Sequence, residues 1–238
     1  MTPAFSNLLC DPVLIHIGIP HGFGQRGSQV SGSTIFSEQV HGIDVFDVGR
    51  LDATKKRPKA DVLVCREPGM AVGIVTADCV PILLATLDGS IVAAIHAGWR
   101  GMAAGVIEAG LKAMTGDFDE ANPVVAAVGP AARGCCYEVD GPVREALGRE
   151  YSALLKGHLV AGRPGHFQLD LPALAVAILA RNGIAKHRIG TENAVCTVCS
   201  GPRFESYRRD GPQAGRLGHF ISKPLPDRGR VDSRNSGP

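Results

Sequence analysis

"MAVGIVTADCVPILLATLDGSIVAAIHAGWRG", residues 70–101, carries the reading of the fold. Its apolar residues come in short runs, MAVGIVTA (70–77), PILLATL (81–87) and SIVAAIHA (90–97), separated by Asp, Pro and Gly. Runs this brief, bounded by such residues, are the pattern of buried strands. LDGS (87–90) fits a hairpin turn between two of them. The same stretch sets Asp78 beside Cys79 at the mouth of an apolar run and ends one strand on His96-Ala97-Gly98.

The pattern extends outward on both sides. DVLVC (61–65) and NPVVAAVGP (122–130) read as further buried strands. A helix is expected from Gly101 to Met114, where Ala103, Val106, Ile107, Gly110, Leu111 and Met114 share one face. Residues 140–156 and 169–182 read as amphipathic helices, the second with Pro172 in its first turn and Gly183 near its end. Residues 13–36, which mix Gly, His and Ser, are expected to be strand ends and a Gly-rich loop. DATKKRPKAD (52–61) is expected to be a charged surface loop, and 223–238 a loose polar tail. Strands dominate the middle and helices flank them. The expectation is one α/β domain over residues 1–222, built on a large mixed central sheet.

Composition narrows the function. The formal net charge is +2 in 238 residues, too near balance for a nucleic-acid or anionic-membrane surface. Aromatics are 5%, too few for a base-stacking platform. No stretch of about 18 apolar residues is present to span a bilayer. The start, MTPAFSNLLCDP, lacks the basic and apolar regions of a signal peptide. Seven cysteines, two of them adjacent, do not form a secreted disulfide framework. A reducing cytoplasm is therefore the expected location, with thiols free for metal or catalysis.

Three residues stand out as metal ligands: His41, Cys79 and His96, each at an element end beside small residues. Two imidazoles and a thiolate make a three-ligand zinc site with a fourth position open. The same donors suit copper. The bland alternative is a buried Cys79 acting as a small hydrophobe, with the two His capping strand ends. Asp78 is a candidate to orient a ligand His or shuttle a proton, or else a turn residue at a strand end. Cys135-Cys136 and Cys196-x-x-Cys199 are the other thiol pairs close in sequence. Adjacent cysteines rarely bond each other. The second pair has a redox or half-zinc spacing without a second CxxC. They read as mostly buried thiols.

Five motifs occur in order: QVHG (39–42), TADCVPILL (76–84), HAGWRG (96–101), GPAARGCCYEV (129–139) and FESYRRDGPQAGR (204–216). Together they resemble the laccase-domain family, also called polyphenol oxidases or multifunctional purine nucleoside phosphorylases, across most of residues 20–221. The resemblance implies a layered α/β sandwich like that of bacterial toxin deamidases. It also implies a zinc ion on His41, Cys79 and His96. It implies phosphorolysis of adenosine, inosine, guanosine and methylthioadenosine to free base and ribose 1-phosphate, with adenosine deamination as a side activity. Purine nucleosides and phosphate are the implied partners. Arg26, in a Gly-Phe-Gly-Gln-Arg turn, is the expected anion clamp, and Arg208 a second phosphate-binding candidate, since guanidinium forks match phosphate oxygens. Two adjacent arginines on a strand face opposite ways, so Arg208 is preferred to Arg209. Trp99 reads as core or pocket floor and Arg100 as structural. The chain departs from the family pattern in two places. Ser28 and Gln29 stand where Gly-Gly is expected, and the link from there to QVHG is short.

Three other readings stay open. Copper-dependent phenol oxidation follows from the older family name. Multi-copper oxidation, however, uses paired His-x-His segments, and none of the eight His is so paired. A metal-free hydrolase or deamidase would use Cys79 as nucleophile and His96 as base, but needs no second imidazole. A zinc-stabilised binding protein would show no turnover.

Overall fold

The structure, a computed structural model, describes residues 6–50, 57–115 and 122–226. In chain order it begins β1 (Ser6–Leu9), α1 (Pro12–His16), β2 (His21–Gln29), β3 (Ile35–Phe36) and β4 (Val45–Asp47). The middle runs β5 (Val62–Cys65), β6 (Ala71–Thr76), β7 (Val80–Thr86), β8 (Val92–Ala97), α2 (Trp99–Ala104) and α3 (Val106–Thr115). Next come β9 (Val124–Val128), β10 (Glu138–Asp140), α4 (Gly141–His158), β11 (Leu159–Ala161) and β12 (His166–Leu169). The last elements are α5 (Leu171–Arg181), β13 (Ile189–Gly190), α6 (Tyr207–Asp210) and β14 (Leu217–Ser222).

The class is α/β, with the strands divided among sheets. A six-stranded mixed sheet has the order β13-β9-β7-β8-β5-β4, and a five-stranded one the order β1-β2-β14-β6-β3. β10, β12 and β11 form a small antiparallel sheet. The hairpin expected at 87–90 joins β7 to β8, with Ala85 opposite Val92 and Val80 opposite Ala97. Gly89, at φ 70°, makes its turn.

The six-stranded sheet is covered on both faces, which is why its strands read as unbroken apolar runs. Val62, Val64, Ile82, Leu84, Ala93 and Ile95 point to one side and pack with Met102, Val106, Ile107 and Leu111 of α2 and α3. Their neighbours Leu63, Cys65, Leu83, Ala85, Val92 and Ala94 point to the other and pack with Phe23, Val72, Ile74 and Ile221 of the five-stranded sheet. The layers are thus helices, sheet, sheet.

Four expectations need correction. The 101–114 helix is two helices, because Gly105 takes φ 93° and closes α2 by donating its N–H to the Gly101 and Met102 carbonyls. The Gly-rich stretch contains a nine-residue strand, β2, paired with β1 on one side and β14 on the other. Its glycines admit neighbours: a Cβ on Gly24 would strike the Gly218 carbonyl. The end of the 52–61 loop turns inward, with Ala60 and Asp61 fully buried. Lys223, the first residue of the expected tail, pairs through its backbone with Gly69 and Met70, and 227–238 lie outside the described residues. Among the described residues no helix is long and apolar enough to cross a membrane.

At Gly129, just beyond β9, there is no room for a side chain. A Cβ there would run into the Phe23 ring and come within 2.8 Å of Pro81 Cγ. Gly129→Ala is expected to destabilise the fold by about 1–3 kcal/mol, the usual cost of overpacking. Chemical denaturation would read it as a lower midpoint at unchanged slope.

Candidate metal centre and its pocket

The chain leaves the five-stranded sheet at the end of β6 and enters the six-stranded sheet at β7. Ala77, Asp78 and Cys79 make the crossing. Asp78 has φ 85°, a conformation that non-glycine residues seldom adopt. Its carboxylate holds it there. One oxygen accepts from Thr197 Oγ1 at 2.5 Å, and the other from Ser206 Oγ at 3.1 Å and the Arg208 N–H at 2.6 Å. None of these donors is a histidine, so Asp78 does not orient a ligand His; it stands in the cavity lining, bound to Thr197, Ser206 and Arg208. It is the pin that fixes the crossing to two distant segments.

Cys79 emerges from this crossing beside His41 and His96. The ligating atoms of the three residues lie within 4.8 Å of one another. Cys79 Sγ is 4.0 Å from His41 Nε2, and the two imidazole rings meet edge to face at 4.8 Å. His96 lies in β8 opposite Pro81 and is 3% exposed. His41 lies on the loop before β4.

The residue that organises both His is Asp61, the last residue of the 52–61 stretch. Its Oδ1 sits 2.7 Å from His96 Nδ1, so Nδ1–H donates to it and Nε2 is left to ligate. It also accepts the backbone N–H groups of Val40 at 3.1 Å, His41 at 3.0 Å and Gly42 at 2.7 Å. Three consecutive amides can converge on one carboxylate because His41 takes the left-handed φ of 60°. The one sequence signal for Asp61 was its position. An acid directly before four fully buried residues must itself be buried and bonded.

The electrostatics follow from these contacts. Burial pushes the Asp61 carboxyl up, but His96 and the amides outweigh it and hold the group below the usual carboxylate range. Its stabilisation is present above the ordinary value of 3.8 and is lost as pH falls through the lower folded value. Burial pushes the Cys79 thiol up. Hydrogen bonds and charge from His41 and His96 overcome this and bring it down to about 6. Burial pushes His96 down, while Asp61 and Cys79 raise it to about 9. Without metal the pair is a thiolate beside an imidazolium.

The surroundings fit an ion. A Cβ on Gly98 would come within 3.0 Å of Cys79 Sγ and 3.2 Å of His41 Cδ2, so only glycine keeps the space between the donors open. One thiolate and two imidazoles, one of them backed by a carboxylate, are zinc-type donors. They open onto a cavity of about 800 Å³ lined also by Gln39, Trp99, Tyr137 and Tyr207.

Three arginines, Arg100, Arg208 and Arg216, line the same cavity. Among the described residues none of them forms an ion pair with a carboxylate. Arg208 lies on the short helix α6 rather than a strand. It stacks over Tyr137 at 4.8 Å and donates to the Glu138 carbonyl at 2.8 Å. Arg209 turns away and is consumed by the carbonyls of Thr197, Val198, Gly201 and Phe204. Arg100, read from sequence as structural, stacks on Trp99 at 4.4 Å and faces the cavity. Arg26 is outside the lining. Its guanidinium is held by Glu205 at 2.8 Å and Asp210 at 3.5 Å, so the structure does not bring it to the site as an anion clamp. His219 was also missed from sequence. It is buried below the cavity-lining Thr76, 2.8 Å from its Oγ1, and accepts the Gly24 N–H on Nδ1.

Residues 24–223 match the family described as multi-copper polyphenol oxidoreductase laccase. A Pseudomonas aeruginosa protein named as a purine nucleoside phosphorylase is 36% identical over 185 residues, 78% of this chain and 71% of that protein. Purine nucleoside phosphorylase YfiH of Escherichia coli is 35% identical over 187 residues, 79% of this chain and 72% of that protein. The crystal structure of Neisseria meningitidis protein NMB0706 is similar with a TM-score of 0.71 at 31% identity, covering 89% of this chain and 78% of that one. YlmD of Geobacillus stearothermophilus shares the fold with a TM-score of 0.72 at 24% identity, covering 93% and 99% of the two chains.

Asp61→Asn keeps the shape but loses the charge that holds His96. Zinc affinity, measured by competition with a chromogenic chelator, is expected to fall roughly 10–100-fold. In metal-free protein, iodoacetamide should alkylate Cys79 with a rate that rises through a midpoint of about pH 6, well below the ordinary 9.0. The thiolate is the nucleophile, so alkylation is fast above that midpoint and slow below it. Mass mapping of the modified cysteine against pH checks this.

Proposed function

The chain belongs to the multi-copper polyphenol oxidoreductase laccase family, and on that premise we propose that it is a zinc-dependent purine nucleoside phosphorylase. It would cleave adenosine, inosine, guanosine and methylthioadenosine with phosphate to free base and ribose 1-phosphate. The glycosidic C–N bond breaks and a C–O bond to phosphate forms. Adenosine deamination at the same site is part of the proposal.

The observation that carries this reading is the meeting of two features in one cavity: a three-donor centre at His41, Cys79 and His96, and three arginines that form no ion pair with a carboxylate among the described residues. Guanidinium groups bind phosphate oxygens through paired N–H donors and stabilise charge in the transition state. Arg208 is the best held of the three, braced by Tyr137, by the Glu138 carbonyl and, through its backbone, by Asp78. Tyr137, Tyr207 and Trp99 offer aromatic faces for a flat base. A cavity of about 800 Å³ suits a nucleoside with phosphate. The metal, when bound, supplies a Lewis acid that can activate water or polarise a substrate atom. Asp61 keeps His96 in the ligating tautomer, and Asp78 keeps Arg208 at the wall.

Copper-dependent phenol oxidation is disfavoured by the donor inventory. Among the described residues, His41 and His96 are the only His in a group able to hold a metal. A second reading, a metal-free hydrolase or deamidase acting through Cys79 and His96, draws on the thiolate–imidazolium pair. That reading leaves unexplained why His41 is turned to the same thiol.

Pure protein assayed with adenosine and inosine is expected to release base only with phosphate, and to lose turnover on chelation and in Cys79→Ala. Activity that survives complete metal removal would transfer the assignment to the Cys–His hydrolase. Arg208→Ala should lower kcat/KM for phosphate by roughly 10–100-fold, the loss of charge-assisted hydrogen bonds to one anion, while zinc content stays unchanged.

A further inference from the structure

Away from the cavity, four thiols from two segments meet. Cys135 and Cys136 come from the turn before β10, Cys196 and Cys199 from the loop between β13 and α6. Their four sulfurs all lie within 4.8 Å of one another. Cys135 Sγ and Cys199 Sγ are 3.6 Å apart, and all four are free thiols. Cys196 is buried, Cys136 half-buried, and Cys135 and Cys199 exposed, so the expectation of mostly buried thiols does not hold for the group.

We propose that this cluster is a second metal centre, a structural zinc site ligated by Cys135, Cys136, Cys196 and Cys199. Four thiolates are a closed donor set for tetrahedral zinc. Around an ion with Zn–S bonds of about 2.3 Å, the sulfurs stand about 3.8 Å apart, within the spread seen here. That spacing holds one ion and is too tight for a multi-iron cluster. All four are free thiols, so no disulfide removes a donor from the set.

The scaffold is already built. The Ala131 N–H donates to the Val195 carbonyl at 3.1 Å, and the Thr197 N–H donates back to the Ala131 carbonyl at 3.1 Å. These bonds zip the two segments together independently of the sulfurs. On binding, each thiol gives its proton to solvent and the ion takes four thiolates, leaving the centre at net charge −2.

The site's place in the fold assigns its task. Tyr137 follows Cys136 and lines the active cavity beneath Arg208. Thr197 follows Cys196 and bonds Asp78, which precedes Cys79. Arg209 of α6 grips the Thr197 and Val198 carbonyls. An ion here would staple the outer wall of the pocket without touching substrate.

The test is zinc content of protein purified under reducing conditions, measured by plasma mass spectrometry. The wild type should carry two equivalents. Cys199→Ser and Cys135→Ser should each carry one, and so should Cys79→Ser, which loses the other ion. If the cluster variants fail to fold, Cys79→Ser decides the matter alone. Loaded with cobalt(II), it should show intense thiolate-to-cobalt absorption of a tetrahedral site. A single zinc in the wild type with none in Cys79→Ser would overturn the proposal. So would recovery of Cys135 and Cys199 as a disulfide in protein never exposed to oxidant, or a cobalt-treated Cys79→Ser without thiolate absorption.

Discussion

A buried carboxylate with all its donors supplied is the constraint on which the site depends. Asp61 is removed from water, which would be costly for an unpaired charge. Three consecutive amides and one imidazole compensate it. The amides fix the backbone of His41 in a left-handed turn, and the imidazole fixes the tautomer of His96. Two ligands from distant parts of the chain are therefore set by one acid, one through its main chain and the other through its ring.

Asp78 repeats the device at the neighbouring corner. Like His41 it sits at positive φ, and like Asp61 it has a carboxylate that gathers donors remote in sequence. Of the three non-glycine residues with positive φ among the described residues, two lie at this site. Such backbone strain persists only where surrounding bonds over-determine it. Here the bonds come from Thr197, Ser206 and the amide of Arg208. They carry the geometry of the sheet crossing out to the cavity wall, to Tyr137, and to the thiol cluster behind it.

Both corners exist because the chain changes sheets between β6 and β7. A strand that stayed in one sheet would carry Cys79 into the core. The crossing instead presents it at the open seam between two packed sheets, where His96 ends its strand and the loop bearing His41 closes over. The apolar runs on either side supply a rigid frame, since the six-stranded sheet is buried on both faces.

The buried strands, the hairpin at 87–90 and the placement of two long helices are legible in the sequence, and His41, Cys79 and His96 stand out there as candidates. Each of these is written locally, in apolar runs, turn residues and residues of unusual chemistry at element ends. The rest follows from packing between distant segments. The division of strands between two sheets depends on which faces pack together, and runs buried on both faces do not record it. Asp61 reads as the end of a charged loop until its four donors are seen around it. Arg26 and Arg208 look equivalent in sequence; Glu205 and Asp210 neutralise the first, while Tyr137 and Asp78 brace the second at the cavity. The four cysteines form a cluster only when residues 135–136 and 196–199 are brought side by side. Ion pairing, burial and ligand convergence are relations between residues far apart in the chain, and only the fold sets those distances.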